Sequence, residues 1–92
     1  MSPNSYDNQL ENMVRILHRA GLDTSILGEG ADRFVRSEHG ARAAELSHDG
    51  VGFFVELFEQ PREESLYDYQ QASLWDATEQ AVEWLLRKPG NA

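Results

Sequence analysis

The chain has 92 residues and a formal net charge of −8, from sixteen acidic and eight basic side chains, and it contains no cysteine. A chain of this length forms one small domain with a modest core. The lack of cysteine excludes a disulfide framework, a thiolate nucleophile and a cysteine-based metal site. The longest apolar runs are far too short to span a membrane, and the first residues lack the basic and apolar regions of a signal peptide. We therefore expect a cytoplasmic protein.

The acidity is concentrated in the second half of the chain. Ten of the sixteen acidic residues lie between Glu45 and Glu83, a segment whose one basic residue is Arg62. Nucleic-acid binding depends on Lys and Arg contacts to phosphate, so the sequence predicts that the protein does not bind nucleic acid. The charge favours a basic binding partner, and the alternative is that it serves solubility.

The first predicted element is a helix from about Tyr6 to Ala20, preceded by a flexible N-terminus at residues 1–5. Asp7 suits the positive end of a helix, and Gly21 can adopt the left-handed conformation that ends one. Apolar residues recur between these ends at helical spacing, at Leu10, Met13, Val14 and Leu17.

Residues 22–32 are predicted to form a connection. Leu22, Ile26 and Leu27 are expected to anchor this connection against the core. Within it, Gly28-Glu29-Gly30 is too short and too acidic for a phosphate-binding loop, so it indicates a turn.

Three strand-like runs follow at residues 33–37, 41–48 and 51–59, and a fourth strand is possible at residues 66–71. Between the second and third runs, Asp49-Gly50 is typical of a tight β-hairpin turn. The third run is the longest and most apolar, so we expect it to be the central strand of the sheet.

The last predicted element is a helix capped by Ser73 and ending near Lys88. The predicted fold is therefore α+β, a two-layer sandwich in the order α-β-β-β-(β)-α. Its antiparallel sheet has three or four strands, and both helices pack on one face. The domain spans residues 6–88, and residues 89–92 are predicted to be a disordered tail. This order is similar in topology to that of double-stranded-RNA-binding domains. The similarity does not extend to function, because that module needs a basic final helix.

The stretch GFFVELFEQ, residues 52–60, carries large apolar side chains on both faces of one strand. Because side chains alternate along a strand, Phe53, Val55 and Leu57 point one way and Phe54, Glu56 and Phe58 the other. The first set is predicted to form the core with residues of the two helices, which are Leu10, Met13, Val14, Leu17, Val82 and Leu85.

The second set raises the question of what covers it. We expect both helices to pack on the opposite face, so that an aromatic surface edged by carboxylates stays uncovered. Exposed aromatic patches usually mark contact sites. The predicted protein-contact residues are Phe54, Glu56, Phe58, Glu59, Tyr67 and Tyr69, and all four aromatic rings are expected to share one face. The alternatives are that a loop or a chain end covers the rings, or that residues 66–71 do not form a strand.

No catalytic or metal-binding pattern stands out. His18, His39 and His48 lack the spacing of metal ligands, and Glu63-Glu64 is typical of a hydrated loop. Ser37-Glu38-His39 cannot form a catalytic triad, since consecutive residues do not make the required chain of hydrogen bonds. We therefore predict no catalytic residue, no cofactor and no metal.

These observations favour a small, acidic, non-enzymatic protein-binding or regulatory module that dimerises or binds a basic partner. One version of this hypothesis is an inhibitor or immunity-type protein, whose acidic residues occupy a cationic groove of its target. The alternative is a small-molecule-binding protein or minor enzyme. Its pocket is expected between sheet and helices, near Arg33, Arg36, His39 and His48.

Overall fold

The computed structural model describes residues 5–48 and 51–87, which form two helices and a five-stranded sheet. The strands follow one another in the order β1-β2-β3-β4-β5, and each neighbouring pair is antiparallel. The α+β class is thus confirmed, and the number of strands is larger than predicted. The elements are α1 (Ser5–Arg19), β1 (Asp23–Leu27), β2 (Phe34–His39), β3 (Arg42–His48), β4 (Phe53–Glu59), β5 (Tyr67–Gln71) and α2 (Leu74–Leu86).

Three predictions concern residues outside these ranges. They are the flexible N-terminus predicted at residues 1–5, of which only Ser5 is described and begins α1, the Asp49–Gly50 hairpin turn and the tail at residues 89–92. Within the described ranges, neither helix is long and apolar enough to cross a bilayer.

Helix α1 ends as its sequence predicts. Gly21 has a φ of 84°, in the left-handed region that glycine adopts without steric strain. Its N–H donates to the carbonyl of His18 at 2.9 Å, and the N–H of Leu22 donates to the carbonyl of Leu17 at 3.1 Å. This pair of hydrogen bonds is the Schellman pattern, which satisfies carbonyls that the helix itself leaves free.

Strand β1 was not predicted, because its sequence shows little of the alternation that marks a half-buried strand. Thr24 is the one buried residue of the five in β1, while Ile26 and Leu27 are 37% and 40% exposed and do not anchor the core. The strand is held by pairing with β2 and by a buried hydrogen bond of 2.8 Å between the hydroxyls of Thr24 and Ser37. Leu22, just before it, is buried as expected.

The additional strand changes the position of β4 in the sheet. β4 was predicted to be central, but it lies between β3 and β5, and β3 is the middle strand of the five. β4 remains an interior strand with paired neighbours on both sides, in agreement with its apolar sequence.

Both helices contact the same side of the sheet, α1 mainly over β1 and β2 and α2 over β3, β4 and β5. The core lies between the two layers and includes every residue predicted for it, with Val14 and Val82 partly buried at its margin. The fully or almost fully buried members of the predicted set are Leu10, Met13, Leu17, Phe53, Val55, Leu57 and Leu85.

The C-terminal end of α2 is closed by side chains from the β2–β3 hairpin. Arg42 donates to the carbonyls of Trp84 at 3.0 Å and Arg87 at 3.3 Å, and His39 Nδ1 lies 3.0 Å from the carbonyl of Leu85. The Arg42 guanidinium also lies over the Trp84 ring, 4.1 Å from its centroid. A cation at this end of a helix is favoured by the helix dipole, so Arg42 fixes α2 to the sheet.

Candidate functional site

The candidate site is the open face, defined here as the strand side chains that point away from both helices. The strand register aligns these side chains in three rows across the sheet. The central row is Ser25, Arg36, Glu45, Glu56 and Asp68, in direct cross-strand pairs. One flanking row is Leu27, Phe34, Ser47, Phe54 and Gln70, and the other contains Asp23, Glu38, Ala43 and Phe58.

Three phenylalanines lie on the open face, one more than the sequence predicted. Phe54 and Phe58 are half-buried there, on either side of Glu56, as alternation along β4 requires. Phe34 is also half-buried and lies in the same row as Phe54. The sequence indicated this position for Phe34. Adjacent side chains of a strand point to opposite faces, so Phe34 and Val35 place one apolar residue on each face of β2.

Three of the six predicted contact residues lie elsewhere. Tyr67 pairs with Leu57 and Tyr69 pairs with Val55, so both tyrosines share the helix-covered side of the sheet with these core residues. The prediction that the tyrosines share a face with Phe54 and Phe58 is therefore wrong. The reason is the register set by the loop at residues 60–66, since a shift of one residue exchanges the faces of a whole strand.

Glu59 also lies on the helix-covered side. It pairs with Arg42 across the strands, and its carboxylate accepts a hydrogen bond from Arg42 Nε at 3.0 Å. Glu59 therefore neutralises the arginine that caps α2, and it does not border the open face. Of the predicted contact residues, Phe54, Glu56 and Phe58 are the ones on the open face.

The cation of the central row is held by two carboxylates. Arg36 Nε donates to Glu38 at 2.8 Å, and its Nη1 donates to Glu45 at 2.5 Å. Its guanidinium carbon also lies 5.6 Å from the centroid of the Phe58 ring. The pKa of Arg36 is raised, mainly by the hydrogen bond that it donates to Glu38. Arg36 is thus paired with Glu38 in the flanking row that contains Phe58, and with Glu45 beside it in the central row.

Glu56 lies in the acidic part of the same row, directly between Glu45 on β3 and Asp68 on β5. Partial burial raises the pKa of the Glu56 carboxyl above its ordinary value of 4.5, and the charges of Glu45 and Asp68 raise it further. Like charges placed opposite each other on adjacent strands destabilise a sheet. A positive group between these carboxylates would therefore relieve repulsion that the fold itself leaves in place.

Two concavities flank the central row. One of about 560 Å³ lies on the Phe58 side, and the loop residues Gln60, Pro61 and Arg62 form part of its lining. The other, of about 340 Å³, lies on the Phe34 side. Glu45 borders both concavities, so the charged central row of the open face lies between them.

The tyrosines of β5 belong to a separate surface beside α2. The Tyr67 and Tyr69 rings are stacked, with 6.3 Å between their centroids, and the Tyr67 and Trp84 rings are nearly perpendicular, with 5.8 Å between their centroids. Trp84 itself is buried, and its indole N–H donates to the carbonyl of Phe58 at 3.0 Å. We call this surface the tyrosine edge, defined by Tyr67, Tyr69 and the outer side of β5.

The four residues of the alternative small-molecule hypothesis do not converge on a pocket between sheet and helices, although Arg33 and His48 both border the concavity of about 340 Å³ on the Phe34 side. Arg36 lies on the open face, whereas His39 lies on the helix-covered side against the end of α2. His48 lies against Phe53 at the rim of the core, with 4.8 Å between ring centroids. Among the described residues, no group of three or more His, Asp or Glu side chains could hold a metal ion.

Comparison with known proteins gives no relative from which a function could be transferred. No family model matches the chain, no curated protein matches it, and no solved structure matches its fold.

Proposed function

We propose that the protein is a small acidic protein-binding module whose open face binds a basic partner protein. The observation that carries this proposal is the row of Glu45, Glu56 and Asp68 in direct cross-strand register, of which only Glu45 is paired with Arg36. The proposal concerns a binding role, and it assigns no catalytic residue.

Charge complementarity supports a basic partner. The open-face positions of the five strands include one basic side chain, that of Arg36, and five acidic ones, those of Asp23, Glu38, Glu45, Glu56 and Asp68. A Lys or Arg side chain placed between Glu56 and Asp68 would pair with both carboxylates. It would also lower the pKa of Glu56, which partial burial and the acidic neighbours of Glu56 now raise. Complementary charge speeds association and suppresses binding of acidic competitors.

The phenylalanines supply the apolar part of the surface. Phe54 and Phe58 lie on either side of Glu56, so an aliphatic stem that follows a bound ammonium or guanidinium group would contact a ring. Arg36 already lies near the Phe58 ring within this protein, at 5.6 Å. A ring face attracts a cation by about 0.5–1 kcal/mol at an exposed site. An inhibitor or immunity-type role, in which the face occupies a cationic groove, is one form of this function.

The same charges disfavour pairing of two open faces with each other. Each copy would bring a row of carboxylates to the interface, and buried like charges cost several kcal/mol. A basic partner is therefore a better occupant of this face than a second copy.

The proposal can be tested with an arginine-rich peptide as the probe, by isothermal titration calorimetry at low and high salt. The wild-type chain is expected to bind the peptide, and binding should weaken as salt rises. The variant Phe54→Ser/Phe58→Ser should remain folded by circular dichroism and bind at least about tenfold more weakly, a loss of about 1.4 kcal/mol.

The matched control is Tyr67→Ser/Tyr69→Ser, which removes two aromatic rings from the other side of the sheet and leaves the net charge unchanged. This control should bind the peptide as the wild type does. If the phenylalanine variant keeps full affinity, the peptide is attracted by net charge alone and the proposed site is wrong. If the phenylalanine variant unfolds, the rings belong to the core, and the assignment of the open face as a contact surface is wrong.

A further inference from the structure

A second surface is the tyrosine edge along the outer side of β5, a strand that also supplies Asp68 and Gln70 to the open face. β5 pairs with β4 on one side, and no other strand of the described segments pairs with its second side. Four of its five residues are exposed. Proteins usually protect such edges against pairing with another chain by short strands, by charged side chains, especially Lys, or by Pro or a bulge. The sequence of β5, Tyr-Asp-Tyr-Gln-Gln, contains neither Lys nor Pro, and Asp68 is its one charged residue.

The two tyrosines make this edge different from an ordinary exposed strand. Tyr67 and Tyr69 are 50% and 40% exposed although they point to the same side as core residues. Their rings are stacked on each other, and Tyr67 is held against Trp84. Because the rings already contact each other and Trp84, a partner that covers them removes less side-chain entropy than it would from isolated tyrosines.

We propose that two copies of the chain associate through β5, antiparallel, about a two-fold axis at Tyr69. This arrangement joins the two sheets into one and places the two Tyr69 side chains opposite each other. Directly opposed aromatic pairs on one face of antiparallel strands stabilise a sheet by about 0.2–1 kcal/mol each.

The charge pattern of β5 fits this register. Asp68 is the one charged residue of the strand. Antiparallel pairing centred on Tyr69 places Asp68 opposite Gln70 of the second copy, so carboxylates do not face each other. The other edge strand, β1, offers less, because its two large exposed side chains, Ile26 and Leu27, point to opposite faces.

The proposed dimer and the open-face complex depend on salt in opposite ways. Each copy carries a formal net charge of −8, so two copies repel each other and added salt should strengthen their association. Binding of a basic partner to the open face should instead weaken. The dimer is expected to be of low affinity, since stable specific interfaces bury about 1,200–2,000 Å² and a single short strand edge contributes only part of that area.

The test is analytical ultracentrifugation of the full chain over a range of protein concentrations, at low and high salt. The wild type is expected to form a dimer at high concentration, more completely at high salt. Tyr69→Lys should be monomeric, because it places two ammonium groups opposite each other on the axis. The matched control is Ile26→Lys, which changes the same charge at a residue of 37% exposure on the helix-covered side of the other edge strand. It should dimerise as the wild type does.

Hydrogen exchange of the wild type provides a second test that needs no variant. On passing from dilute to concentrated protein, amides of residues 67–71 should gain protection and those of residues 23–27 should not. A wild type that stays monomeric, oligomers larger than a dimer, protection gained at residues 23–27, or a dimer that Tyr69→Lys leaves intact would each overturn the proposal.

Discussion

Both faces of β4 carry large apolar side chains, yet these side chains have opposite surroundings. On the helix-covered side, Val55 and Leu57 are at most 4% exposed. On the open face, Phe54 and Phe58 come from the same strand and alternate with those residues, but they are only half-buried and lie beside carboxylates. The comparison shows that apolar character in a strand does not by itself identify the core, because the position of the helices decides which face is covered.

The two arginines of the β2–β3 hairpin repeat this contrast. Arg42, on the helix-covered side, joins a strand, a helix end and an indole ring, and its side chain is 13% exposed. Arg36, on the open face, is held by Glu38 and Glu45 and is 29% exposed. The first arginine connects the two layers of the fold, and the second balances charge within one layer.

The largest expected difference between the two faces is in the loss of unfolding free energy when two adjacent residues of β4 are truncated. Leu57→Ala should lower the free energy of unfolding by about 2–5 kcal/mol, the usual cost of truncating a buried Leu. Phe58→Ala, the next residue, should cost about 1 kcal/mol because its ring is only half-buried. Urea denaturation of both variants measures the difference. Equal losses would show that the open face is part of the core.

The second comparison is between the arginines. Arg42→Met should lower the free energy of unfolding by about 2 kcal/mol, since the carbonyls of Trp84 and Arg87 lose a charged donor and Glu59 loses its partner. Arg36→Met should cost less than about 1 kcal/mol, in the range of exposed ion pairs. It should also strengthen binding of a basic peptide to the open face. Thermal denaturation and calorimetry measure the two effects, and a larger stability loss for Arg36→Met would reverse the assigned roles.

The third prediction concerns the buried hydroxyl pair under α1. Thr24→Val should lower the free energy of unfolding by about 1–3 kcal/mol, because Ser37 is fully buried and loses its hydrogen-bond partner. The double variant Thr24→Val/Ser37→Ala should be less destabilised than the sum of the two single variants. A double-mutant cycle in urea measures this coupling, and strictly additive losses would show that the hydroxyl pair does not hold β1 to β2.

The smallest expected effect is a gain of stability at Glu56. Because the folded-state pKa of Glu56 is raised, the folded protein holds this proton more tightly than the unfolded chain does. Stability therefore falls as the pH rises from the ordinary pKa of 4.5 through the raised value. Glu56→Gln should raise the midpoint of thermal unfolding at neutral pH, and the difference should vanish below the ordinary pKa. Glu38→Gln, on the same face, serves as the control and should give no such gain, because Glu38 is paired with Arg36. A destabilised Glu56→Gln at neutral pH would contradict the repulsion described above.

Much of this structure follows from local sequence. Helical spacing and Gly21 predicted α1 to within one residue at each end, and Ser73 caps α2 by accepting a hydrogen bond from the N–H of Asp76 at 3.1 Å. Alternation along β4 assigned Phe53, Val55 and Leu57 to the core and Phe54 and Phe58 to the other face. These features depend on residues close together in the chain, so their periodicity and capping signals are visible without a fold.

Three features were decided only by tertiary structure. β1 exists because β2 pairs with it, since its own residues bury little apolar surface. The face of Tyr67 and Tyr69 depends on the register across the loop at residues 60–66, which no local pattern specifies. The C-terminal carbonyls of α2 are capped by Arg42, a residue 42 positions away from the Trp84 carbonyl that it binds. Strand pairing, register and long-range capping join segments distant in sequence, and their energies appear only when the whole chain brings those segments together.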